Sequence, residues 1–256
     1  MWTEKEFLIL KNNYGILYME DLMALLPNRS YNAIINKARK NNLKRKNIDS
    51  RTRRKYFFDV NYFKSINTPN KAYYLGWIIT DGNIKGNQCR IRLQKDDADI
   101  LEKFSTDIKS TYPIYFRDKD KNRELVLSHR DLIKDLKKYG CIENKTNKVI
   151  FPVVPKEFIW DFIKGIFDGD GSYINTIKTH KVTFCSASGS FIISLKEILD
   201  SYNIKCNITN YTKFFVLEIS GIRSISIFLN YILSTKSDFL NRKLKKMLEL
   251  KTYINC

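Results

Sequence analysis

The sequence predicts an α+β protein in which a small all-α domain precedes a tandem, pseudo-twofold α-β-β-α-β-β-α repeat. Three observations carry this. Residues 73–84 read YYLGWIITDGNI and residues 162–173 read FIKGIFDGDGSY, so that Gly76 and Gly165, Asp81 and Asp170, and Gly82 and Gly171 are each 89 residues apart. The same order of strand-like and helix-like segments follows each copy. The first 46 residues show short helical periods broken at Gly15 and Pro27 instead.

In that N-terminal stretch, Thr3 followed by Glu6 is a capping box, and Phe7, Leu8 and Leu10 supply the apolar stripe of a first helix. A second is predicted over 18–26, burying Leu22, Leu25 and Leu26, with Pro27 as its stop. Ser30 caps a third over 31–41. Its Tyr31, Ile34, Ile35 and Ala38 share one face, while Asn32, Asn36, Lys37 and Lys40 point away. Three short helices whose third shows Asn and Lys outward describe a helix-turn-helix DNA reader, because Asn can bridge adenine edges and Lys or Arg can meet guanine or phosphate. A three-helix protein-interaction module is the other reading. Residues 28–55 hold eleven Lys or Arg and one acid, Asp49, which is more than half of the net charge of +18. Arg29 belongs to this run, and Arg51, Arg53 and Arg54 begin a basic and aromatic linker over 47–70 whose aromatic end is expected to dock on the next domain.

The two repeat units are expected over 71–150 and 151–256, the second with a C-terminal helix. In the first, strand-like segments fall near 89–94, 112–117 and 124–128 and helix-like ones at 98–109 and 130–139. In the second they fall at 181–186, 205–208 and 214–220, and at 191–201 and 225–233.

Each repeated helix is apolar on most faces (Tyr73, Tyr74, Leu75, Trp77, Ile78 and Ile79; Phe158, Ile159, Trp160, Phe162, Ile163, Ile166 and Phe167), which predicts burial. A central glycine costs about 1 kcal/mol relative to alanine, tolerable where it lets another backbone come close. Gly76 and Gly165 are therefore expected to pack the two helices together across the pseudo-twofold. Each helix ends in Asp-Gly, the glycine read as a left-handed C-terminal cap. The aspartates face the negative end of the helix dipole and, across the twofold, each other. Like charges so placed cost stability unless a cation sits between them, which points to a divalent metal at Asp81 and Asp170.

Composition narrows the partner. Among 256 residues there are 45 Lys and Arg against 27 Asp and Glu, and 43% hydrophobic residues suffice for a core, so a disordered basic tail is excluded. No apolar run is long enough to span a membrane, and the acidic, amphipathic start is unlike a signal peptide. Five scattered cysteines and two histidines make neither a disulfide scaffold nor a His/Cys zinc cluster. A nucleic-acid partner follows. The expected location is the cytoplasm of a bacterial or phage-infected cell, or an organelle matrix, without secretion. Frequent Lys, Asn and Ile suggest an AT-rich genome.

The paired segments resemble the motifs of LAGLIDADG homing endonucleases in their monomeric two-motif form. Residues 163–171 match closely. Residues 74–82 keep the glycine and the final Asp-Gly but carry Ile79 where the second copy has Asp168. The resemblance spans roughly residues 56–256 and implies a monomer with a DNA-binding saddle. There Asp81 and Asp170, with Gly82 and Gly171 beside them, hold Mg²⁺, for which Mn²⁺ can substitute. Each acid serves one strand of double-stranded DNA, and a site-specific double-strand break of the kind used in intron homing results. Lys145 and Lys243, after the last helix of each half, are implied to offset transition-state charge or order water, with plain phosphate contact as the alternative. Gln94 is implied to position water, with Ser186 as its counterpart. The strand faces implied to read DNA include Arg90, Arg92, Gln94, Tyr115, Arg117, Arg123, Lys181, Thr183, Lys205, Asn207 and Tyr211. The first 45 residues resemble Myb/SANT-like modules through Trp2-Thr3, Asn28-Arg29-Ser30, Ala33-Ile34 and Lys37-Ala38. The rival functions are a nuclease-inactive DNA-binding regulator or RNA maturase of the same descent. An intein is disfavoured, because Met1 stands where a splicing Cys or Ser would and no His precedes Asn255.

Overall fold

Thr3 and Glu6 close their capping box reciprocally, with the Thr3 N–H on Glu6 Oε2 at 2.8 Å and the Glu6 N–H on Thr3 Oγ1 at 3.2 Å. This starts α1 (Glu4–Asn13), which packs with α2 (Met19–Leu25) and α3 (Tyr31–Lys40) around Leu10, Met19, Leu22, Leu26, Ile34 and Ala38. Leu8 and Leu25, expected inside, are 58% and 49% exposed. Two positions along a helix is more than half a turn, so burying Leu10 turns Leu8 outward, and burying Leu26 leaves Leu25 on the flank. A computed structural model of the chain describes residues 2–45, 56–117, 121–145, 147–176 and 179–255. It forms two compact units, one of Met1–Phe58 with Lys109–Thr111 and one of Asp59–Ile108 with Tyr112–Cys256. The first unit reaches past residue 46 because Phe57 packs against its helices, and the Phe57 N–H donates to Thr111 Oγ1 at 2.7 Å.

The second unit begins with the aromatic end of the linker. A 3-10 turn at Tyr62–Lys64 buries Tyr62 and Phe63 beside Phe104. Thr68 and Pro69 then start α4 (Pro69–Asp81), which runs straight into β1 (Gly82–Lys85) and β2 (Gln88–Gln94). After α5 (Asp99–Asp107) come β3 (Tyr115–Arg117), β4 (Asn122–Ser128) and α6 (Arg130–Lys138). The second half repeats the order with α7 (Ile159–Asp170), β5 (Gly171–Asn175), β6 (His180–Ser186), α8 (Gly189–Ser201), β7 (Cys206–Asn210), β8 (Phe215–Ser220) and α9 (Ile222–Ser234), and α10 (Asn241–Asn255) is appended. Both sheets are antiparallel and have equivalent strand orders, β1-β2-β4-β3 and β5-β6-β8-β7. In β2 the residues Cys89, Ile91 and Leu93 turn inward and Arg90, Arg92 and Gln94 outward. The helices cover one face of each sheet and leave the other exposed.

The core of this unit is the pairing of α4 with α7. A Cβ on Gly76 would lie 2.3 Å from Phe162 O, and one on Gly165 would lie 2.0 Å from Tyr73 O. The two glycines thus clear space for each other's helix, as the repeat predicts. Every residue from Ala72 to Ile79 is buried, as is every residue from Ile159 to Asp168. Each large apolar side chain so buried contributes about 1.5–3 kcal/mol, which outweighs the two glycines. The segment before α10 and the first turn of α10 tie the halves together. Tyr74 donates to Asp238, the Asp238 N–H donates to Asn70 Oδ1 at 3.0 Å, and Arg242 grips Asp97 with two bonds of 2.9 and 2.8 Å. Among the described residues, no helix is long and apolar enough to cross a membrane.

Candidate active site

Asp81 and Asp170 are the last residues of α4 and α7. A helix leaves its final carbonyls without intrahelical partners and carries partial negative charge there. Two cations, Lys145 half-buried and Lys243 buried, answer both needs. Lys145 donates to the carbonyls of Ile78, Ile79 and Thr80 at 3.2, 2.6 and 2.7 Å. Lys243 donates to those of Phe167, Asp168 and Gly171 at 2.6, 2.8 and 2.7 Å. Each ammonium has three N–H groups, and all three are engaged. Direct phosphate contact, the alternative considered for these lysines, therefore has no free donor to use.

The glycines after the acids are not left-handed caps. Gly82 has φ −72° and ψ 143°, and Gly171 has φ −81° and ψ 150°, both extended. Their requirement is steric. The chain passes from helix to strand without a loop, and a Cβ on Gly82 would fall 2.5 Å from Ile78 O, one on Gly171 2.3 Å from the Phe167 ring. The Gly171 carbonyl, taken from sequence as part of the metal site, accepts a Lys243 N–H.

Burial pushes the Asp81 carboxyl up to about 6, and the charge of Asp170 adds to the shift. Lys243 and Lys145, in that order, oppose it. Asp170 is also raised by burial of its surroundings, with Lys145 ahead of Lys243 in opposition. Each lysine therefore caps its own half's helix while its charge does more for the other half's acid. Burial lowers both lysines, Lys243 to about 8.

The donor set suits one class of metal. Among the described residues, no group of three or more His, Cys, Asp or Glu could hold an ion, so nothing resembles a zinc cage. Two mutually repelling carboxylates remain. Mg²⁺ is commonly bound through one or two carboxylates, with water and phosphate oxygens filling its shell. The residues present fit that ion.

The exposed faces of the sheets place the other candidates. Arg90, Arg92 and Gln94 share the outer face of β2, and Arg92 donates to Glu124 Oε1 from Nε at 3.1 Å and Nη2 at 2.9 Å, with Arg90 Nε 3.6 Å from the same oxygen. Glu124 thus engages two of the five N–H groups of Arg92. Tyr115, opposite Glu124, is on this face. Arg123 is not. It pairs in register with inward-facing Leu93 and stacks over Phe116 at 4.3 Å, because a strand alternates faces and Glu124 already takes the outer one. In the second sheet Lys181 and Thr183 face outward, Lys181 being paired to Glu218 at 2.9 Å, and Asn207 and Tyr211 are exposed beside them. Lys205 is exposed just before β7, where its N–H donates to Ser224 Oγ. The side chain of Arg117 and residues Arg51, Arg53 and Arg54 lie outside the described residues.

Ser186 is not the counterpart of Gln94. Gly82 pairs with Ile91 and Gly171 with Phe184, so Ser186 corresponds to inward Leu93, and it accepts the Ser188 N–H at 3.2 Å. The same register sets exposed Cys185 in the place of Arg92, where partial burial and then the charge of Asp170 raise the thiol. Sequence reading passed over Cys185, although its alternation with Val182 and Phe184 marks it as outward. It also passed over Asp168 as a structural hub. Asp168 is buried, and its Oδ2 accepts the Tyr73 hydroxyl at 2.7 Å and the Leu240 N–H at 2.8 Å.

In the first unit, Asn32, Asn36 and Lys40 are exposed on α3, as expected, and Arg39 joins them. Lys37 instead covers Phe7 at 4.9 Å and Trp2 at 5.9 Å. Arg29 is an internal strut, not an outward reader. Its Nε and Nη2 bind Glu6 Oε1 and Oε2 at 2.8 and 2.7 Å, its guanidinium lies 4.9 Å over Trp2, and this pair holds the Glu6 carboxyl down to about 2.

Residues 159–251, from the start of α7 into α10, match the WhiA LAGLIDADG-like domain. The structure of the I-LtrWI LAGLIDADG homing endonuclease bound to target DNA superposes with a TM-score of 0.54 at 11% identity, covering 77% of this chain and 90% of that one. The I-AabMI LAGLIDADG meganuclease bound to uncleaved DNA gives 0.54 at 11% identity, covering 74% and 92%. The fold is LAGLIDADG-like. In sequence the chain is 27% identical over 215 residues to the probable translation initiation factor IF-2 of Methanocaldococcus jannaschii, and 29% identical over 111 residues to that of Thermococcus kodakarensis. Those matches cover 74% and 41% of this chain but 17% and 9% of the two factors, so it spans less than a fifth of the length of these relatives.

Proposed function

We propose that this LAGLIDADG-like protein is a site-specific, Mg²⁺-dependent endonuclease that cuts both strands of a double-stranded DNA target. The observation that carries the reading is the pair Asp81 and Asp170, held at the ends of two interlocked helices by a lysine tripod each. A surface that only bound phosphates would gain nothing from two crowded carboxylates amid a charge of +18.

In this reading Asp81 and Asp170 hold the metal, which when bound polarises the scissile phosphate and lowers the pKa of attacking water. The chain's own contribution is preorganisation. Lys145 and Lys243 fix the helix ends, oppose the upward shift that burial imposes on both carboxyls and bring positive charge to the site where phosphorane charge would develop. Gln94, on the outer face of its strand, is available to orient water. The outer faces of both sheets supply base and phosphate contacts, and the exposed Asn32, Asn36, Arg39 and Lys40 of α3 extend the footprint.

The match of the second half to the WhiA LAGLIDADG-like domain favours one other reading, a DNA-binding regulator without cleavage. The test is selection of cleaved members from a randomised duplex library in Mg²⁺. Enrichment of one sequence cut on both strands, lost in Asp81→Asn and Asp170→Asn variants that still bind it, supports the nuclease. Selective binding without cutting by the unaltered protein supports the regulator.

A further inference from the structure

The β7–β8 hairpin ends in an exposed aromatic pair. Tyr211 and Phe214 flank a two-residue turn, Thr212-Lys213, closed by the Tyr211 N–H on Phe214 O at 2.9 Å. Their rings stack with centroids 5.0 Å apart and planes at 22°, yet they remain 51% and 42% exposed. Strand parity fixes the direction of both. Leu217 and Ile219 face the helices, which puts Phe214 with Glu218 on the outer face, and Cys206 faces inward, which puts Tyr211 with Asn207 and Thr209. The platform therefore shares its face with Lys181, Thr183 and Cys185. Its base is rigid, because Phe215 turns the other way and seats on Gly189, where an added Cβ would come within 2.9 Å of the ring.

Two adjacent exposed aromatics lose free energy to water, and no contact within the described hairpin covers them. What sits beside them is cationic and polar: exposed Lys213 in the turn, with Asn207 and Thr209 along the strand. A membrane or apolar protein surface would not call for that surround, whereas a DNA groove offers phosphates at its rim and one strongly apolar group on its floor, the thymine methyl. We propose that the Tyr211–Phe214 platform recognises thymine methyl groups in the major groove at the outer end of the second half's target. This rests on the DNA-reading role proposed above.

The probe is the duplex pool recovered by binding selection, re-amplified with either thymidine or deoxyuridine triphosphate, which differ only by the methyl. The unaltered protein should bind the uracil pool more weakly, by about fourfold for each methyl buried. Tyr211→Ala with Phe214→Ala should bind both pools with less difference, while Phe214→Leu, which keeps an apolar contact, should retain most of it. Both substituted positions are exposed, and an unchanged melting temperature shows that the variants fold. A difference between pools that the double alanine variant leaves intact overturns the proposal, as does an unaltered protein that binds both pools equally. Failure to recover any binding pool overturns the DNA-reading role itself.

Discussion

Tyr73 of the first half donates its hydroxyl to Asp168 of the second at 2.7 Å, inside the interface of the two motif helices. The corresponding position of the first motif is Ile79, buried and without a polar partner to offer. The two halves are therefore related in backbone but not in how their helix ends are held. The second is braced through Asp168 to Leu240, three residues before Lys243.

That brace has a pH signature. Burial raises the Asp168 carboxyl to about 7, against the donors Tyr73 and Leu240 and the cations Lys243 and Lys164. Unfolded, an aspartate loses its proton near pH 4. Between these values the folded state binds the extra proton, so stability falls as pH rises across that window. Both accepted bonds use Oδ2, and Oδ1 has no partner among the described residues. Asp168→Asn can keep the two bonds and discard the charge. Urea unfolding should find it close to the parent at pH 4.5 and more stable at pH 8. Asp168→Ala, which loses both bonds, should cost about 2–4 kcal/mol at pH 4.5 and less at pH 8, where it too is rid of the charge.

Much of this architecture was legible in advance, and the misses share a cause. The repeated glycines and aspartates survive as a fixed spacing, and strand alternation in Cys89–Gln94 reads directly as an inner and an outer face. The fate of a charge does not. Arg29 looked like a DNA reader because its partner Glu6 lies 23 residues earlier and meets it only once α1 folds back. Arg123 was set on the outer face by its charge, although alternation with Leu125 and Leu127 already places it on the inner one. Lys145 and Lys243 were found by position, but the carbonyls they bind lie more than 60 residues away in sequence. The Asp-Gly pairs stand at the two helix ends as their spacing predicts, and the glycine's reason, a Cβ clash rather than a positive φ, needed coordinates.

Gly165→Ala and Gly76→Ala should each force α4 and α7 apart. The added methyls would meet backbone at 2.0 and 2.3 Å, and helix backbone cannot turn aside as a side chain can. A loss of about 3 kcal/mol or more is expected in chemical denaturation, at the upper end of overpacking costs. Alanine's better helix propensity returns only about 1 kcal/mol. An unchanged midpoint would mean the helices are not held at this separation.

Arg29→Ala and Asn32→Ala with Asn36→Ala separate structure from recognition in the first unit. Arg29 holds Glu6 and covers Trp2, so its loss should lower the stability of the three-helix unit. The exposed asparagines hold nothing together, and their loss should leave melting unchanged while weakening DNA binding. Removal of residues 1–46 should weaken affinity further and flatten its salt dependence, since fewer phosphates are neutralised. Unchanged affinity and slope would assign α3 to another partner.

Lys243→Met tests the crossed electrostatics. The variant keeps the length of the stem but leaves three carbonyls at the end of α7 without their donor. It also removes the cation that does most to keep Asp81 ionised, so the Asp81 carboxyl should rise above about 6. A carboxylate must be ionised to bind metal, so the acid limb of any cleavage pH profile should move to higher pH. Lys145→Met should move it too, through Asp170. A fall in rate with no displacement of the limb would assign the lysines to helix capping alone.

Asp81 and Asp170 make a prediction that needs no DNA. Without metal, Asp81 holds its proton to about 6, well above an unfolded aspartate near pH 4, so the pair weakens the fold as pH rises across that interval. Asp81→Asn removes one charge of the repelling pair and should raise the melting temperature of the metal-free protein at pH 7.5. Mg²⁺ should act unequally on the parent and the two variants. It binds the folded parent and stabilises it by about 1.4 kcal/mol at ten times its dissociation constant, while Asp81→Asn and Asp170→Asn should gain much less. Melting in a Mg²⁺ titration at constant ionic strength reads this directly. Equal shifts in all three proteins would mean that the acids hold no ion, and the case for metal chemistry at these helix ends would fall with them.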